Sequence, residues 1–398
     1  MRADEPPGPP QRWGPAPTAR TAAQVLVTAA LIGGLATAAI GKSAAHGDDF
    51  IQDYLSARLW LSGQYPYPDL PPLREQFGFP PTGTALHVGS NPHPPLAVLL
   101  AAPVAGLPFD SALGIYQVCQ VLALAVMWHW ACQRFTRGGW LITAGGGLLG
   151  LWAPVWQGLD WGQPIGFIAL GAMVLWHLAG AGVVPGVCGA VLALCCGLRP
   201  FFAIVAATAG AWPLRRVLVE AGVAAVVTAA LFGAVGLSPI TWLRTGTQVG
   251  QTFTGECGSI PGLLRFDGMS GLAFFALAFL LVAVARLRGA ETDASMALAL
   301  ALGLLTYPLA WFQYDVALLP VALWTLMTAH RHNASLAAWC AVVYLALRCL
   351  PNLSDYVQVQ QWLQVLARSA LVLAIAAVTR ADNPPGAGRS IPPAPRIG

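Results

Sequence analysis

The chain has 398 residues, of which 56% are hydrophobic and 10% are charged, and its mean hydropathy is +0.62. Soluble domains carry about 25% charged residues, so this composition excludes an ordinary soluble protein and predicts a polytopic membrane protein. The formal net charge of +4 is small and spread over short loops, which excludes the basic surface of a nucleic-acid-binding protein.

The two ends of the chain differ in composition from everything between them. Residues 1–20 and 381–398 are rich in proline and glycine and lack an apolar face, so we predict disordered cytoplasmic tails. Residues 21–380 then form a single transmembrane domain. Its first apolar run is about 20 residues long, which is enough to span hydrocarbon and too long for the core of a signal peptide.

Apolar windows predict about twelve transmembrane helices, several of them shorter than the roughly 17 residues that a span needs. The predicted spans are 21–41, 111–132, 140–157, 164–181, 185–198, 200–213, 217–236, 270–286, 294–309, 316–330, 335–350 and 361–379. The two short windows between 185 and 213 can also form one bent hairpin.

Arginines near the ends of these spans predict the orientation, because positively charged loops stay in the cytoplasm. They are Arg20, Arg134, Arg137, Arg215, Arg216, Arg286, Arg288, Arg331 and Arg380. If all are cytoplasmic, both termini are cytoplasmic and the apolar segment 92–109 cannot be a full crossing. It then lies within a first outer loop, residues 42–110, whose length of about 70 residues is unusual for a connector. We therefore expect a functional site on the outer face of the plasma or inner membrane.

The start of this loop, residues 47–63, has the pattern of a short helix. Phe50, Tyr54 and Leu61 belong to one apolar face, and Gly63 is placed to end the helix. We predict a helix that lies at the membrane interface, with Asp48 capping its first turn.

Two acids, Asp49 and Asp53, stand four residues apart on this helix, where like charges repel by about 0.2–0.5 kcal/mol. Something must offset that repulsion. A carboxylate beside Tyr54, Trp60 and Tyr67 has the surroundings of a general base that faces a polar, ring-stacking substrate. The alternative is that these acids form a hydrated loop surface.

The opening of the loop, "GDDFIQDYLSARLWLSGQYPY", resembles the first outer loop of family 87 in the GT-C superfamily of membrane glycosyltransferases, with its Asp-Phe, downstream Tyr, Gly and Pro-Tyr pattern. Four further segments resemble this family in the same order along residues 20–330: "NPHPPLAVLLAAPVAGLPFDSA", "DWGQPIGFIALGAMVL", "GAVLALCCGLRPFFAIV" and "YPLAWFQYDVALLPVALW". In the last segment the family commonly has His before Tyr. This chain has Gln313 there, and an amide cannot titrate.

The resemblance implies an all-α bundle of the GT-C type, with interfacial helices in the first outer loop. It also implies an inverting glycosyltransferase of the cell envelope, which moves mannose or arabinose from polyprenyl phosphate to an extracytoplasmic glycan or lipid. Asp49 corresponds to the catalytic carboxylate of the family, since Phe50 follows it directly and Tyr54 falls five residues on. Asp48 is the rival if the register slips by one residue.

A departing phosphate needs a cation. Arg199 is the leading candidate, because it interrupts a long uncharged apolar stretch; the alternative is an arginine that snorkels to anchor a hairpin. Further candidates for contacts to phosphate are Arg58 and His93, followed by Arg244 and Arg265. The candidates for contacts to the sugar or the acceptor are Asp53, Tyr54, Tyr67, Gln163, Gln313 and Tyr314.

We predict neither a tightly bound cofactor nor a metal site, although the acids of the opening stretch offer hard oxygen ligands. The chain has no phosphate-binding P-loop, which agrees with a lipid-linked donor. The expected partners are therefore the bilayer, the donor lipid and a glycan or glycolipid acceptor, and not nucleic acid.

Two other functions compete with this one. The first is a transporter or glycolipid flippase, which is disfavoured because the chain lacks a convincing internal repeat and its ionisable residues gather at one surface. The second is a catalytically inactive homologue that binds a glycolipid, which the presence of Gln313 keeps open.

Overall fold

A computed structural model describes residues 19–41, 47–79, 90–136, 145–181, 183–253, 257–266, 268–349 and 357–382. Within these ranges the chain is all helical and contains no β-strand. The predicted tails lie almost wholly outside the described residues, apart from 19–20 and 381–382, which belong to the first and last helices.

The helices that matter for the site come from the first two thirds of the chain. In chain order they are α1 (Ala19–Ile40), α2 (Asp48–Leu61), α3 (Leu70–Gln76), α4 (Pro95–Ala101), α5 (Phe109–Phe135), α6 (Ala153–Trp161), α7 (Ile165–Gly180), α8 (Val187–Leu198) and α9 (Leu214–Ala234). The remaining helices are α10 (Pro239–Phe253), α11 (Ile260–Leu263), α12 (Gly268–Leu287), α13 (Thr292–Thr306), α14 (Leu319–Arg331), α15 (Ser335–Leu347) and α16 (Val357–Asp382). Short 3-10 segments, among them Pro200–Ala211 and Phe312–Leu318, connect some of them.

Among the described residues, five helices are long and apolar enough to cross a membrane, namely α1, α5, α9, α12 and α16. Several of the other predicted spans are shorter apolar helices, so the predicted number of about twelve crossings is not confirmed. The window 140–157 is also interrupted, because α6 begins as a new helix at Ala153 while 140–144 lie outside the described residues.

The stretch 185–213 is two helical pieces that meet at Arg199. Arg199 has an extended backbone (φ −150°, ψ 122°), and Pro200 follows it. Because a proline disfavours the helical conformation of the residue before it, this break is a local consequence of the sequence. It sets Arg199 between α8 and the 3-10 segment Pro200–Ala211, as expected of a bent hairpin.

One end of the bundle is defined by contacts between charged helix ends. Arg134 at the end of α5 pairs with Asp293 at the start of α13 at 2.8 Å, and Trp176 near the end of α7 donates to the same carboxylate. At the start of α9, Glu220 accepts a hydrogen bond from the backbone N–H of Gly189 at the start of α8. The opposite ends of α5, α7, α8 and α9 therefore meet on the other side of the bundle.

Helix α2 lies on that other side and is enclosed by α3, α4, α5 and α6. Its bounds agree with the predicted stretch 47–63, and residues 49–57 are all buried against neighbouring helices. Its predicted place at the membrane interface stays a prediction. The predicted cap is wrong, because Gly47 takes the N-cap position and Asp48 is the first residue of the helix. The segment Pro95–Val104 has only ten residues, a length of about 15 Å that cannot cross about 30 Å of hydrocarbon, as predicted.

Candidate functional site

The three carboxylates at the start of α2 have different partners. Asp48 pairs with Arg74 of α3 at 2.9 Å. Asp53 is 1% exposed and lies 3.0 Å from Nδ1 of His93 through both of its oxygens. Asp49 is buried and bonded to two amides: it accepts a hydrogen bond from Gln163 and a longer one, at 3.4 Å, from Gln52. The three acids are thus chemically distinct, and Asp49 alone among them forms no ion pair within the described residues.

Two glycines bring Gln163 to Asp49. Gly162 ends α6 in the left-handed conformation (φ 74°), and a Cβ there would lie 2.4 Å from Cβ of Phe50. Gly47 precedes α2 with φ 74°, and its N–H donates to the carbonyl of Asp160 at 2.6 Å. Since only glycine adopts this conformation without strain and leaves room for so close an approach, the start of α2 rests directly on the end of α6.

Gln163 also joins Asp49 to the break after α8. Its Nε2 donates to Asp49, and its Oε1 accepts a hydrogen bond from Arg199. The guanidinium of Arg199 is centred 5.0 Å from the ring of Tyr314, which stacks on Phe201. Residues from α2, the α6–α7 turn, the α8 break and the Phe312–Leu318 segment therefore form one cluster, which we call the Asp49 cluster.

Arg199 differs from the other buried arginines of the described chain. Arg74 pairs with Asp48, and both Arg348 and Arg368 pair with Asp315. Arg199 is 3% exposed, yet none of the ion pairs formed by the described residues includes it, and its Nε has no hydrogen-bond partner there. A buried cation without an anion is unfavourable. An anionic ligand would supply the missing charge.

A second group of hydrogen bonds holds His93 in place. Asn91 donates to Asp53 at 3.0 Å and to Ser56 at 3.1 Å, and its Oδ1 accepts the backbone N–H of His93 at 2.9 Å. The hydroxyl of Tyr67 donates weakly to the carbonyl of His93. With Nδ1 of His93 directed at Asp53, Nε2 is the ring nitrogen left to contact a ligand. The imidazole also offsets the repulsion between Asp53 and Asp49.

Burial raises the pKa of Asp49 above its ordinary value of 3.8. The positive potential of His93, the hydrogen bond from Gln163 and the charge of Arg199 act in the opposite direction, whereas the neighbouring Asp48 adds to the rise. A carboxylate with a raised pKa is a stronger base, which suits it to take a proton from a hydroxyl group.

Two predicted site residues, Tyr54 and Arg58, are bonded to each other rather than to the Asp49 cluster. Tyr54 accepts a hydrogen bond from Arg58 at 2.9 Å and donates to the carbonyl of Leu107 at 2.7 Å. Arg58 is exposed and lies over the ring of Phe77. These contacts favour a role in packing the first outer loop.

Gln313, which takes the position of the family histidine, is 1% exposed. Neither atom of its amide has a hydrogen-bond partner in the described part of the chain. An unpaired buried amide costs about 1–3 kcal/mol. Tyr314, the next residue along the chain, contacts Arg199.

Sequence reasoning missed three parts of this region. Asn91, which orients His93, is not among the predicted site residues, although its position two residues before that histidine could have indicated it. The pairing of Arg74 with Asp48 joins residues 26 positions apart and leaves no local pattern. The triad of Asp315, Arg348 and Arg368 was missed for the same reason. The predicted lack of a metal site stays a prediction.

The fold and the site together define a class. Over the described ranges this is a helical protein with apolar helices of membrane-spanning length and a buried cluster that contains a carboxylate and a cation. No family model, no curated protein and no solved structure matches the chain.

Proposed function

We propose that this protein is an inverting membrane glycosyltransferase that moves a sugar from a polyprenyl-phosphate donor to the hydroxyl of a glycan or lipid acceptor. One observation carries the proposal. Asp49 and Arg199 are both buried in one cluster, and within the described residues neither is neutralised by an ion pair. Such a cluster offers a base and an anion-binding group side by side, which are the two groups that this reaction needs.

The proposed reaction is a single displacement. The acceptor oxygen attacks the anomeric carbon, and the bond from that carbon to the phosphate oxygen breaks. The hydroxyl proton passes to Asp49, and the bonding electron pair leaves with polyprenyl phosphate, whose negative charge Arg199 stabilises. His93, held by Asp53 and Asn91, is the second candidate for a contact to the phosphate. We propose mannose or arabinose as the transferred sugar, on the basis of the family resemblance.

The arrangement of charged helix ends supports an orientation for this reaction. Arg134, Arg216 and Arg286 lie at helix ends on the side of the bundle away from the Asp49 cluster. Because cytoplasmic ends carry the positive residues, we propose that both termini are cytoplasmic and that the cluster opens toward the outer face of the plasma or inner membrane.

Cysteine labelling tests this orientation. In a background with Cys119 and Cys349 replaced by alanine, Gln64→Cys in intact cells is expected to react with a membrane-impermeant maleimide. Residue 288 is also exposed, and the cysteine of Arg288→Cys is expected to react only after the cells are permeabilised. The reverse pattern would place the Asp49 cluster at the cytoplasmic face and contradict the proposal.

Loss of Arg199 tests the proposed phosphate contact. Arg199→Gln is expected to lower transfer from labelled polyprenyl-phosphate mannose or arabinose by about 10- to 100-fold, since a hydrogen bond to a charged group contributes about 1.5–3 kcal/mol. Arg199→Lys keeps the charge and should lose less. The control is Arg288→Gln, which removes an exposed arginine just after α12 and should leave transfer nearly unchanged. Equal rates of transfer in wild type and Arg199→Gln would contradict the proposed contact between Arg199 and the phosphate.

A glycolipid-binding protein without transferase activity is the second candidate, and the non-titrating Gln313 is the observation that favours it. Incubation of the purified protein in lipid nanodiscs with the same labelled donors separates the two functions. Retention of the donor with no transfer to any acceptor in a membrane extract would favour binding alone.

A further inference from the structure

The amide of Gln163 can adopt only one orientation in the Asp49 cluster. An arginine donates hydrogen bonds and accepts none, and an ionised carboxylate accepts them and donates none. The oxygen of Gln163 must therefore face Arg199 and its nitrogen must face Asp49, as observed. The amide is a neutral bridge between a cation and an anion.

A direct ion pair is what this chain forms at comparable places. Asp48 contacts Arg74 without an intermediary, and Asp315 contacts Arg368 at 2.8 Å. A direct pair at the site would disable both partners, because the arginine would lower the proton affinity of the carboxylate and the carboxylate would occupy the donors of the arginine. Gln163 prevents this by occupying the position between them.

We propose that Gln163 is a positioning residue that holds Asp49 and Arg199 apart, so that the carboxylate can take up a proton and the guanidinium stays available to an anion. The separation follows from the observed hydrogen bonds, and its importance for catalysis rests on the proposed function. This differs from the contact to sugar or acceptor that the sequence suggested for Gln163, since both ends of its amide are engaged within the protein.

The charged and titratable groups near Asp49 are Asp48, Asp53, His93, Arg199 and the hydroxyl of Tyr314. Asp48 is held by Arg74, and His93 is held by Asp53 and Asn91. Arg199 has no charged partner of this kind among the described residues: apart from Gln163, it contacts the carbonyl of Leu198 and the ring of Tyr314. It is therefore the group expected to move when Gln163 is shortened or made apolar.

Carbodiimide modification measures the proton affinity of Asp49 without any assay of activity. Dicyclohexylcarbodiimide adds to protonated buried carboxyl groups, and mass spectrometry of the digested protein identifies the modified residue. In Gln163→Leu, the pH of half-maximal reaction at Asp49 is expected to fall by about one to three units, because an arginine in direct contact lowers the pKa of an aspartate by that amount. In Gln163→Glu, the new carboxylate attracts Arg199 and repels Asp49, so the midpoint is expected to rise.

The opposite signs of these two shifts make the proposal falsifiable. The matched control is Gln157→Leu, which removes another buried glutamine from the same region, outside the Asp49 cluster, and should leave the midpoint unchanged. An unchanged midpoint in both Gln163 variants, or a shift of the same sign in both, would overturn the positioning role. Because Gln163→Glu is nearly isosteric, it keeps the test available if the leucine variant does not fold.

Transfer assays separate this inference from the proposed function. With polyprenyl-phosphate mannose or arabinose as donor, Gln163→Leu is expected to lower kcat and to move the acid limb of the pH profile to lower pH. If the wild type transfers neither sugar while the midpoints shift as expected, the positioning role stands and the proposed function fails. If the wild type transfers a sugar and the midpoints do not move, the positioning role fails alone.

Discussion

Replacing Asp49 with asparagine is expected to lower the rate of sugar transfer from a polyprenyl-phosphate donor by about 10²- to 10⁴-fold, the usual contribution of a general base. The substitution keeps the size of the side chain, so expression and membrane insertion should be retained. The measurement is transfer of labelled mannose or arabinose by purified protein in nanodiscs, expressed per folded molecule.

The control for this variant is Asp48→Asn. Asp48 pairs with Arg74 and is partly exposed, so its loss is expected to lower stability while leaving the rate per folded molecule within severalfold of wild type. If transfer persists in Asp49→Asn and disappears in Asp48→Asn, then the base is Asp48 and the assignment is off by one residue.

The same base predicts the direction of the pH dependence. Transfer needs Asp49 in its ionised form, so activity should fall as pH decreases through the pKa of this group. Because burial raises that pKa, the acid limb is expected at a pH above the ordinary aspartate value of 3.8. An acid limb at or below that value would show that a different group acts as the base.

The largest effect on stability is expected at Asp315, which is fully buried between Arg348 and Arg368. Arg368 also donates to three backbone carbonyls, those of Gly258, Leu304 and Trp311. Asp315→Asn takes the carboxylate away from two buried guanidinium groups, at a cost of about 3–5 kcal/mol. A strong fall in the apparent melting temperature of the detergent-purified protein is the expected result.

Two comparisons isolate the cause of that fall. Asp293→Asn breaks an ion pair of the same length, but the Asp293 side chain is 34% exposed, so the loss should be no more than about 1 kcal/mol. The double variant Asp315→Asn with Arg348→Met removes one cation together with the anion and should recover part of the stability. Equal melting temperatures for Asp315→Asn and Asp293→Asn would contradict a stabilising role of the buried triad.

The sequence by itself determined the features that depend on neighbouring residues or on composition. The apolar content predicted helices of membrane-spanning length, and five of the predicted spans have that length. Pro200 determined that the chain breaks at Arg199, and the glycine before Gln163 determined where α6 ends. The bounds of α2 followed from its apolar spacing and its terminal glycine. These are local effects, which act over one or two turns of a helix.

Only the tertiary structure decided which of the clustered acids is left without an ion pair among the described residues. Asp48, Asp49 and Asp53 are nearly equivalent in the sequence, and the partners that distinguish them, Arg74, Gln163 and His93, come from 26 to 114 residues away. The burial of α2 could not be predicted from its own residues either. Its polar residues are covered by Asn91 and His93, which belong to a later segment of the chain. The number of crossings also stayed open, because short apolar helices have the same composition whether they span the bilayer or pack within the bundle. Contacts between distant segments depend on how all the helices pack together, and no periodicity along the chain records them.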